Sequence, residues 1–437
     1  MSVFVLFLAL LGLLCPINSN DLSGKFWWFT DFHLDIYGSD VDSDMICAWT
    51  PSPQMESAIA AMKATNPTPA FILQSGDITH FPGRNSSDLS QAVVLDTISA
   101  VNGWLVEEFP GVHIYPALGN HDHAPSNNYP VDPEASAWVY EGIAKLWSAW
   151  LPPSAVETVR YAGWYSANVD GVDGLRIITM NTNFWTVYNS YLVWNTTIAE
   201  EQFSWVEGEL AKAANDGVKV MMNGHHPMVG VHIEGGVEVG GLYPIYQHRY
   251  SMMAQRYKDI IVGHFAGHDH VDEVRLIREC TYTEGNPDPL SSGVNSCGGD
   301  PVGVVFVGQA LTNCQVPAFR EWSFDVTNGL LDYSQYWFER DENEEMVWPL
   351  QYEFSSVYGE EANPSSPSWW ENTLNAMDND ENLFNEFVAR RGLIDCNFND
   401  SCKAFMMCNY LHGGEQITGE FFNCLYGKWA GSVSANK

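Results

Sequence analysis

The sequence predicts an α/β protein, and three observations lead to this class. Short apolar runs of strand length alternate with segments of helical character between residues 25 and 308, an order typical of α/β sheet proteins. Polar residues of metal-binding type follow the ends of five such runs, where sites form in open α/β sheets. Hydrophobic residues make up 46% of the 437 residues, enough for a large core.

The predicted elements follow one another closely. Strands are predicted, in chain order, over Lys25–Thr30, Ala70–Gln74, Val112–Leu118, Leu175–Met180, Val218–Met222, Ile260–Val262 and Val302–Gly308. Helices are predicted near Gln54–Ala64 and over Ile198–Ala214. The composition changes near residue 340, where an acidic run and a stretch rich in Pro and Ser precede a helical segment with four cysteines. We therefore predict a large α/β domain over 21–340 and a small helical domain with disulfides over 341–437.

Residues 1–20 are predicted to be a signal peptide. Val3–Leu14 is an uncharged apolar run, and the small residue Ser19 lies near the expected cleavage point. A membrane anchor is the alternative, but the run is shorter than the roughly 20 residues that a spanning helix needs. We therefore expect a protein that is secreted or held in a lysosome-like lumen.

Cysteine usage agrees with an oxidising compartment. Cys15 lies in the predicted signal peptide, and the other eight of the nine cysteines are an even number, as a disulfide framework requires. We expect Cys280 to pair with Cys297, the last four to pair among themselves, and Cys47 to pair with Cys314, with other pairings open. The last four are Cys396, Cys402, Cys408 and Cys424. Candidate glycosylation sites are Asn85, Asn195 and Asn399.

The net charge of −34 limits the partners of the chain. Such a surface repels polyphosphate backbones, so we expect no long nucleic acid as a partner. Transient contact with a membrane surface is compatible with this charge. No feature of the sequence indicates an obligate protein partner.

Five short motifs carry the chemistry. They are, in order, Asp31-x-His33, Gly76-Asp77, Gly119-Asn120-His121-Asp122, Gly224-His225 and Gly267-His268-x-His270. Each is weak alone, but five in sequence, each after a predicted strand, are hard to obtain by chance. The alternative is a set of core histidines and loop aspartates without a shared site.

In these motifs the chain resembles the calcineurin-like metallophosphoesterases. The resemblance implies a β-sandwich flanked by helices (α/β/β/α) and two divalent metal ions, which would clamp a phosphoester and activate water near neutral pH. Asp77 would bridge the ions. Asp31, His33 and His270 would complete one position, and Asn120, His225 and His268 the other. Such mixed ligands suit zinc, manganese or iron, and the resemblance favours zinc.

The resemblance also implies roles in the reaction. A metal-bridging hydroxide would attack phosphorus in line, and His121, paired with Asp122, would protonate the leaving oxygen. The alternative for His121 is a residue that only orients a ligand. His226 is an alternative to His225, but the family pattern Gly-His-x-Pro favours His225.

Further stretches resemble the acid sphingomyelinase-like phosphodiesterases. They read YPALGNHD over 115–122, Asn-Thr-Asn over 181–183, QFSWVEGEL over 202–210 and GHDHVDE over 267–273. Acid sphingomyelinase carries a saposin domain before its catalytic domain, whereas here the catalytic domain follows the predicted signal peptide directly. The resemblance therefore favours the group that cleaves nucleotide and choline-type phosphoesters.

One position departs from that group. A catalytic histidine usually stands four residues after the bridging aspartate, where this chain has Phe81, and His80 lies one residue earlier. A shortened loop would still present His80 as a second catalytic residue. Aromatic residues after the central strand are also candidates for a choline-binding cation–π site, with simple packing as the alternative: Trp185, Tyr188, Tyr191 and Trp194.

The sequence therefore predicts a secreted phosphodiesterase with two metal ions, acting on sphingomyelin or on nucleotide and choline phosphoesters. A phosphomonoesterase or nucleotide phosphatase would use the same metal core. A secreted binding protein without catalysis is the alternative of another class, and it predicts damaged ligand motifs, whereas all the expected ligands are present.

Overall fold

A computed structural model describes residues 22–37, 50–81, 89–234, 237–280, 297–313, 315–391, 400–413, 421, 423–425 and 427–428. The predicted signal peptide, Cys47, Cys314, Cys396, Asn85 and Asn399 lie outside these residues, as does the side chain of Cys402. Strands and helices in the described parts are numbered in chain order.

The strands form two six-stranded sheets and three short pairs. They are β1 (Ser23–Phe29), β2 (Leu34–Asp35), β3 (Thr50–Pro51), β4 (Phe71–Gln74), β5 (Ile114–Pro116), β6 (Tyr165–Asn168), β7 (Leu175–Thr179), β8 (Lys219–Asn223), β9 (His232–Glu234), β10 (Val237–Gly240), β11 (Ile261–Ala266), β12 (Glu273–Arg278), β13 (Pro301–Val307), β14 (Ala318–Asp325), β15 (Gly329–Trp337), β16 (Glu339–Arg340), β17 (Met346–Val347) and β18 (Leu350–Glu353).

The helices surround these sheets. They are α1 (Ser52–Thr65), α2 (Gln91–Glu108), α3 (Ala137–Trp147), α4 (Pro153–Ala162), α5 (Thr197–Asp216), α6 (Pro244–Arg256), α7 (Phe354–Tyr358), α8 (Pro367–Asn379), α9 (Glu381–Arg390) and α10 (Asp400–His412). Within the described residues, no helix combines the length and the apolar character needed to cross a membrane.

The first sheet has the strand order β18-β15-β14-β1-β4-β5. Strands β1, β4 and β5 run parallel, with Trp28 opposite Leu73 and Leu73 opposite Tyr115. Because β1 is covered on both faces, residues 26–29 are apolar without alternation and at most 2% exposed.

The second sheet has the strand order β12-β13-β11-β8-β7-β6. Strands β7, β8, β11 and β13 run parallel, and β12 and β6 close its edges in antiparallel pairing. Helix α5 lies against β7 and β8, and α6 lies against β12 and β13.

The two sheets meet face to face through aromatic side chains. The ring of Phe265 from β11 lies 5.1 Å from Trp28 and 5.8 Å from Phe26 in β1, and 5.7 Å from Trp322 in β14. Edge-on pairs of this kind add to the free energy gained by burying apolar surface. The predicted β-sandwich flanked by helices is confirmed.

The C-terminal part is helical after β18, as predicted. Strand β18 lies beyond residue 340 and still pairs with β15 of the first sheet, while α8 and α10 lie against β12 of the second. Disulfides join Cys280 to Cys297 and Cys408 to Cys424, which confirms the first predicted pair and a pairing within the C-terminal group. The domain boundary at 340 remains a prediction.

Candidate metal centre

The five motifs meet at one edge of the sandwich. They follow the carboxyl ends of β1, β4 and β5 in the first sheet, and of β8 and β11 in the second. Parallel strands end at the same edge of a sheet, and the facing sheets bring both edges together. Side chains that are up to 239 residues apart in sequence, from Asp31 to His270, therefore surround one point.

Asp31, His33 and His270 form the first group, with one potential ligand atom from each lying within 4.8 Å of the others. The Nε2 atoms of His33 and His270 are 3.0 Å apart. The Asp31 Oδ1 atom lies 3.3 Å from His270 Nε2 and 3.8 Å from His33 Nε2. Two imidazole nitrogens and a carboxylate aimed at one point suit a divalent transition metal.

Asp77, His225 and His268 form the second group by the same distance criterion. The Asn120 Oδ1 atom lies 2.8 Å from His225 Nε2 and 2.9 Å from His268 Nδ1, so the amide oxygen joins this group. Asp77 Oδ2 lies 3.2 Å from His225 Nε2 and 3.6 Å from His33 Nε2. The carboxylate therefore stands between both groups, where the bridging ligand was expected.

The backbone at this edge adopts a conformation that L-residues rarely take. Seven described residues other than glycine have positive φ, and five of them are predicted ligands: Asp31 (52°), His33 (44°), Asp77 (52°), His268 (75°) and His270 (62°). Each such residue costs about 1–3 kcal/mol and persists where function requires it. The concentration of strain on ligand positions fits a metal centre better than it fits packing.

Two glycines of the motifs are required because neighbouring side chains approach their Cα atoms too closely to leave room for a Cβ atom. A Cβ atom at Gly119 would lie 2.0 Å from Asp77 Oδ1, and one at Gly267 would lie 2.0 Å from Thr30 Oγ1 and 2.5 Å from Asp31 Oδ2. Any side chain at either position would displace a predicted ligand.

The charges of the centre are coupled. Burial alone would raise the pKa of Asp77, but the neighbouring His225 and His121 hold that pKa below its usual range. Burial likewise opposes ionisation of Asp31, and His270 lowers its pKa well below normal. The pKa of His225 is raised to about 9, because the Asp77 carboxylate outweighs burial. Both carboxylates are therefore ionised, and nearby positive charge stabilises them. Divalent metal ions at the same place would supply such positive charge.

Asp122 connects the loops of Asp77 and Asn120. Its Oδ1 accepts hydrogen bonds from the backbone N–H groups of Ile78 (2.9 Å) and Thr79 (3.0 Å), and its Oδ2 accepts from Gly119 N–H (2.8 Å). Burial and the nearby Asp77 raise the pKa of Asp122 to about 6. This corrects one expectation: the carboxylate binds backbone groups, rather than pairing with the His121 ring.

His121 follows Asn120 in the loop after β5. Its backbone N–H donates to Asp77 Oδ1 at 2.8 Å, and its ring lies 5.1 Å from that of His33. The Nδ1 atom is buried without a hydrogen-bond partner in the described part of the chain. A ligand atom of His121 also lies within 4.8 Å of those of His33 and Asp77, so the imidazole can reach a group bound at the centre.

The loop after Asp77 presents Phe81 to the centre. The Phe81 ring lies 4.2 Å from His121 and 4.3 Å from His33. His80 is 6% exposed, and its Nδ1 atom lies 2.6 Å from the Phe81 carbonyl oxygen. The catalytic role of His80 stays a prediction, while Phe81 supplies an apolar wall that the sequence reasoning did not anticipate.

The candidate choline site is not assembled. Trp185 is fully buried and stacks on Phe203 at 4.2 Å, so it belongs to the core. Trp194 is 88% exposed and Tyr191 is 43% exposed. Only Tyr188 among the four lies beside the centre in the described residues, with its ring 5.6 Å from His268.

His226 is a neighbour of the centre that the sequence reasoning weighed as a ligand in place of His225. It is fully buried, its ring lies 4.2 Å from that of His268, and its backbone N–H donates to Thr182 Oγ1 at 2.9 Å. His225 rather than His226 contacts Asn120 and Asp77, in agreement with the preference for His225. Of the sequons, Asn195 is exposed on the surface, and its glycosylation stays a prediction.

Comparisons with known proteins identify the family of this chain. A family model described as calcineurin-like phosphoesterase matches residues 24–272. The human cyclic GMP-AMP phosphodiesterase SMPDL3A is 28% identical over 423 residues, which cover 88% of this chain and 87% of that protein. Sphingomyelinase phosphodiesterase C of Dictyostelium discoideum is 28% identical over 371 residues, covering 77% and 78% of the two chains.

A third relative is longer. The sphingomyelin phosphodiesterase of Bos taurus is 30% identical over 353 residues, which cover 77% of this chain and 51% of that protein. These relatives confirm the predicted resemblance to sphingomyelinase-like phosphodiesterases and the predicted enzyme class, a phosphoric diester hydrolase. The family match covers more than half of the chain, so this chain belongs to the calcineurin-like phosphoesterase family.

Proposed function

We propose that this protein is a secreted or lumenal phosphodiesterase that uses two divalent metal ions, of the acid sphingomyelinase-like type. One observation carries the proposal: two groups of ligand side chains converge around the shared carboxylate of Asp77. The substrates we propose are small phosphodiesters, either sphingomyelin or nucleotide and choline phosphoesters.

The described residues fit such ions. We call the first metal position the one lined by Asp31, His33, His270 and Asp77, and the second metal position the one lined by Asp77, Asn120, His225 and His268. Zinc suits both, since each offers nitrogen and oxygen ligands. When bound, a pair of ions would supply Lewis-acid stabilisation of phosphoryl charge and lower the pKa of bound water.

The protein supplies orientation and a proton. The strained loops and the Asp122 carboxylate fix the ligands before substrate arrives, which lowers the entropic part of the barrier. His121 reaches the centre from the side of Phe81, and burial lowers its pKa to about 3. We assign its imidazole to protonating the leaving oxygen, because a phosphate anion bound beside it would raise that pKa again. The Phe81 ring covers His121 and His33 and keeps water from this side.

The disulfides and the net charge of the chain support a compartment and a class of substrate. The two disulfides support an oxidising compartment, in line with the signal peptide proposed for residues 1–20 and with glycans at the three sequons. The net charge of −34 favours small or zwitterionic substrates over polyanions.

Substrate hydrolysis tests the proposal. The zinc-loaded protein is assayed at pH 5 and pH 7 on sphingomyelin vesicles, CDP-choline and ATP, with Asp77→Asn as the inactive control. Turnover of sphingomyelin that the control lacks would identify a sphingomyelinase, and turnover of the soluble substrates alone would place the protein with the enzymes that cleave nucleotide and choline phosphoesters.

A further pair of substrates separates the enzyme classes. Bis(p-nitrophenyl) phosphate is a diester, whereas p-nitrophenyl phosphate is a monoester. We expect faster turnover of the diester. Faster turnover of the monoester would replace the proposal with a phosphomonoesterase, and no turnover of any substrate by protein with two zinc ions would leave a binding protein.

A further inference from the structure

We propose that the C-terminal segment sets the affinity of the second metal position through three buried side chains. They are Arg391, which follows α9, and Asn409 and Tyr410 of α10; we call them the C-terminal brace. They contact the loops that carry the two imidazoles of that position. The inference rests on the proposed function, because it assigns positioning residues to the metal centre proposed above.

The first contact of the brace is made by Arg391 with the start of β12. Its guanidinium donates to the Glu273 Oε1 atom, and its Nε donates to the Asp272 carbonyl oxygen at 2.8 Å. The Tyr410 hydroxyl lies 3.3 Å from the same Glu273 oxygen. Arg391 is 2% exposed and Glu273 is 5% exposed, so these charges are shielded from solvent.

Glu273 connects Arg391 to the loop of His268 and His270 through Arg275. Its Oε2 accepts hydrogen bonds from Arg275 Nε (3.0 Å) and Nη2 (2.6 Å), and the same guanidinium donates to Asp269, which stands between the two histidines. Two guanidinium groups and two carboxylates therefore form a neutral buried chain from Arg391 to the metal loop. Such connected polar networks fix a single arrangement.

The second contact of the brace reaches the loop of His225. Asn409 Oδ1 accepts from Val231 N–H at 2.9 Å, and Asn409 Nδ2 donates to the Val231 carbonyl at 3.1 Å. Arg275 Nη1 also donates to the Val229 carbonyl at 3.1 Å. A Cβ atom at Gly230 would lie 2.8 Å from both Arg275 Cδ and Asn409 Oδ1. The loop therefore packs directly on the brace.

The two metal positions depend on the brace unequally. Both imidazoles of the second position, His225 and His268, come from braced loops. In the first position only His270 does, because Asp31 and His33 follow β1, whose loop is bonded to the Asp77 loop through Asp31 N–H to the Gly76 carbonyl at 3.0 Å. Loosening the brace should therefore weaken the second position first.

Titration of the metal-free protein with Co²⁺ tests this inference, with visible absorption reporting the coordination of each equivalent. The main variant combines Glu273→Gln with Arg391→Met. It removes one charge of each sign and leaves Asp269 and Arg275 balanced, because a single unpaired buried charge would itself destabilise the fold. Asn409→Ala tests the other loop without touching the ionic chain, and circular dichroism checks folding.

We expect the parent chain to bind two equivalents tightly. Each variant should keep the first equivalent and bind the second about 10-fold more weakly, the lower end of effects seen when supports of metal ligands are removed. Arg390→Met is the matched control: the side chain of this neighbouring arginine is 24% exposed and lies 3.9 Å from Glu386, and its variant should bind both equivalents as the parent does.

Unchanged binding of both equivalents in both variants would overturn the inference. So would an equal loss of both equivalents with a fall in melting temperature, because the brace would then only stabilise the fold. Failure of the proposed function is seen separately, as a parent chain that binds fewer than two equivalents, and it would overturn both proposals.

Discussion

The two sheets contribute different chemistry to the metal centre. The loops of the first sheet supply every proposed oxygen ligand, namely Asp31, Asp77 and Asn120, together with one proposed imidazole ligand, His33. The loops of the second sheet supply imidazoles alone, which are His225, His268 and His270. Negative charge therefore comes from one side of the sandwich, and neutral or cationic nitrogen comes from the other.

The two sheets also stabilise their loops in different ways. The first sheet uses short local contacts, such as the three backbone N–H groups that bind the Asp122 carboxylate. The second sheet relies on Arg275 and the C-terminal brace, whose Arg391 lies 118 residues beyond its partner Glu273 in the chain. The difference teaches that the first sheet's half of the centre is built locally, whereas the second half needs the C-terminal segment.

Removing the bridging carboxylate should have the largest effect, because it is the one ligand that both metal positions share. We expect Asp77→Asn to lower phosphodiester hydrolysis by about 10³-fold or more, since metal ions contribute several kcal/mol to such reactions. Steady-state kinetics on bis(p-nitrophenyl) phosphate measures the loss. Asp170→Asn, at a surface carboxylate whose side chain is 72% exposed, is the control and should leave the rate unchanged. Residual activity within about 10-fold of the parent would contradict the shared role.

The next effect separates proton transfer from metal binding. His121→Gln should slow hydrolysis of diesters with alkyl leaving groups by about 10²–10⁴-fold, the range for loss of a general acid. Diesters with a p-nitrophenol leaving group need little protonation and should slow far less. Kinetics of the variant and the parent on both kinds of diester give the ratio of the two rate losses. Equal losses on both would assign His121 to orienting a ligand.

A smaller effect is expected from the local support of the first sheet. Asp122→Asn keeps one acceptor oxygen where the carboxylate has two, so at least one of the N–H groups of Ile78, Thr79 and Gly119 loses its partner. We expect about 10–100-fold lower activity and about 1–3 kcal/mol lower stability, measured by kinetics and by denaturant unfolding. Asp132→Asn is matched to it, since the exposed Asp132 also accepts from a backbone N–H, that of Glu134 at 3.1 Å. If both variants behave alike, Asp122 has no special link to the centre.

The smallest effect on activity is expected from an imidazole of the second sheet that lies outside the ligand set and bears on stability alone. Burial lowers the pKa of His264 to about 3, and its Nδ1 lies 2.7 Å from the Tyr250 hydroxyl. Because the unfolded chain binds this proton near pH 6.5 and the folded chain does not, His264 destabilises the fold as pH falls from about 6.5 to 3. The slope is at most about 1.4 kcal/mol per pH unit.

Melting temperatures measured between pH 7 and pH 4 check this sign. His264→Phe should lose less stability across the range than the parent, although it starts lower at pH 7 because Tyr250 loses its partner. The half-exposed His113, replaced by Asn, serves as the comparison and should follow the parent. A parallel pH dependence in His264→Phe and the parent would refute the assignment.

Sequence reasoning located most of the fold and of the candidate centre, because both depend on local patterns. Strand β1 is a run of buried aromatic residues, and the ligand motifs each follow a strand end, where parallel topology brings them together. The predicted strand starting at Ile260 corresponds to β11, and the helix predicted over Ile198–Ala214 corresponds to α5.

What the sequence could not supply depends on contacts between distant residues. Arg391 belongs to no motif, and Glu273 ends the stretch GHDHVDE over 267–273 without an assigned role. Only the fold shows that the two residues meet. Whether Phe81 or His80 faces His121 depends on the path of one loop. Trp185 belongs to the aromatic run that was a candidate choline site, but the spacing of residues in the sequence does not show that it is buried against Phe203. These outcomes follow from tertiary packing, which single-sequence patterns do not carry.

Metal content measures the central claim most directly: that both sheets together hold two ions around Asp77. After loading with Zn²⁺ and removal of free metal, the parent chain should retain two zinc ions per chain by elemental analysis, and Asp77→Asn should lose at least one together with its diesterase activity. A parent chain that hydrolyses phosphodiesters with less than one ion per chain, or an Asp77→Asn variant that keeps both ions and full activity, would contradict the account.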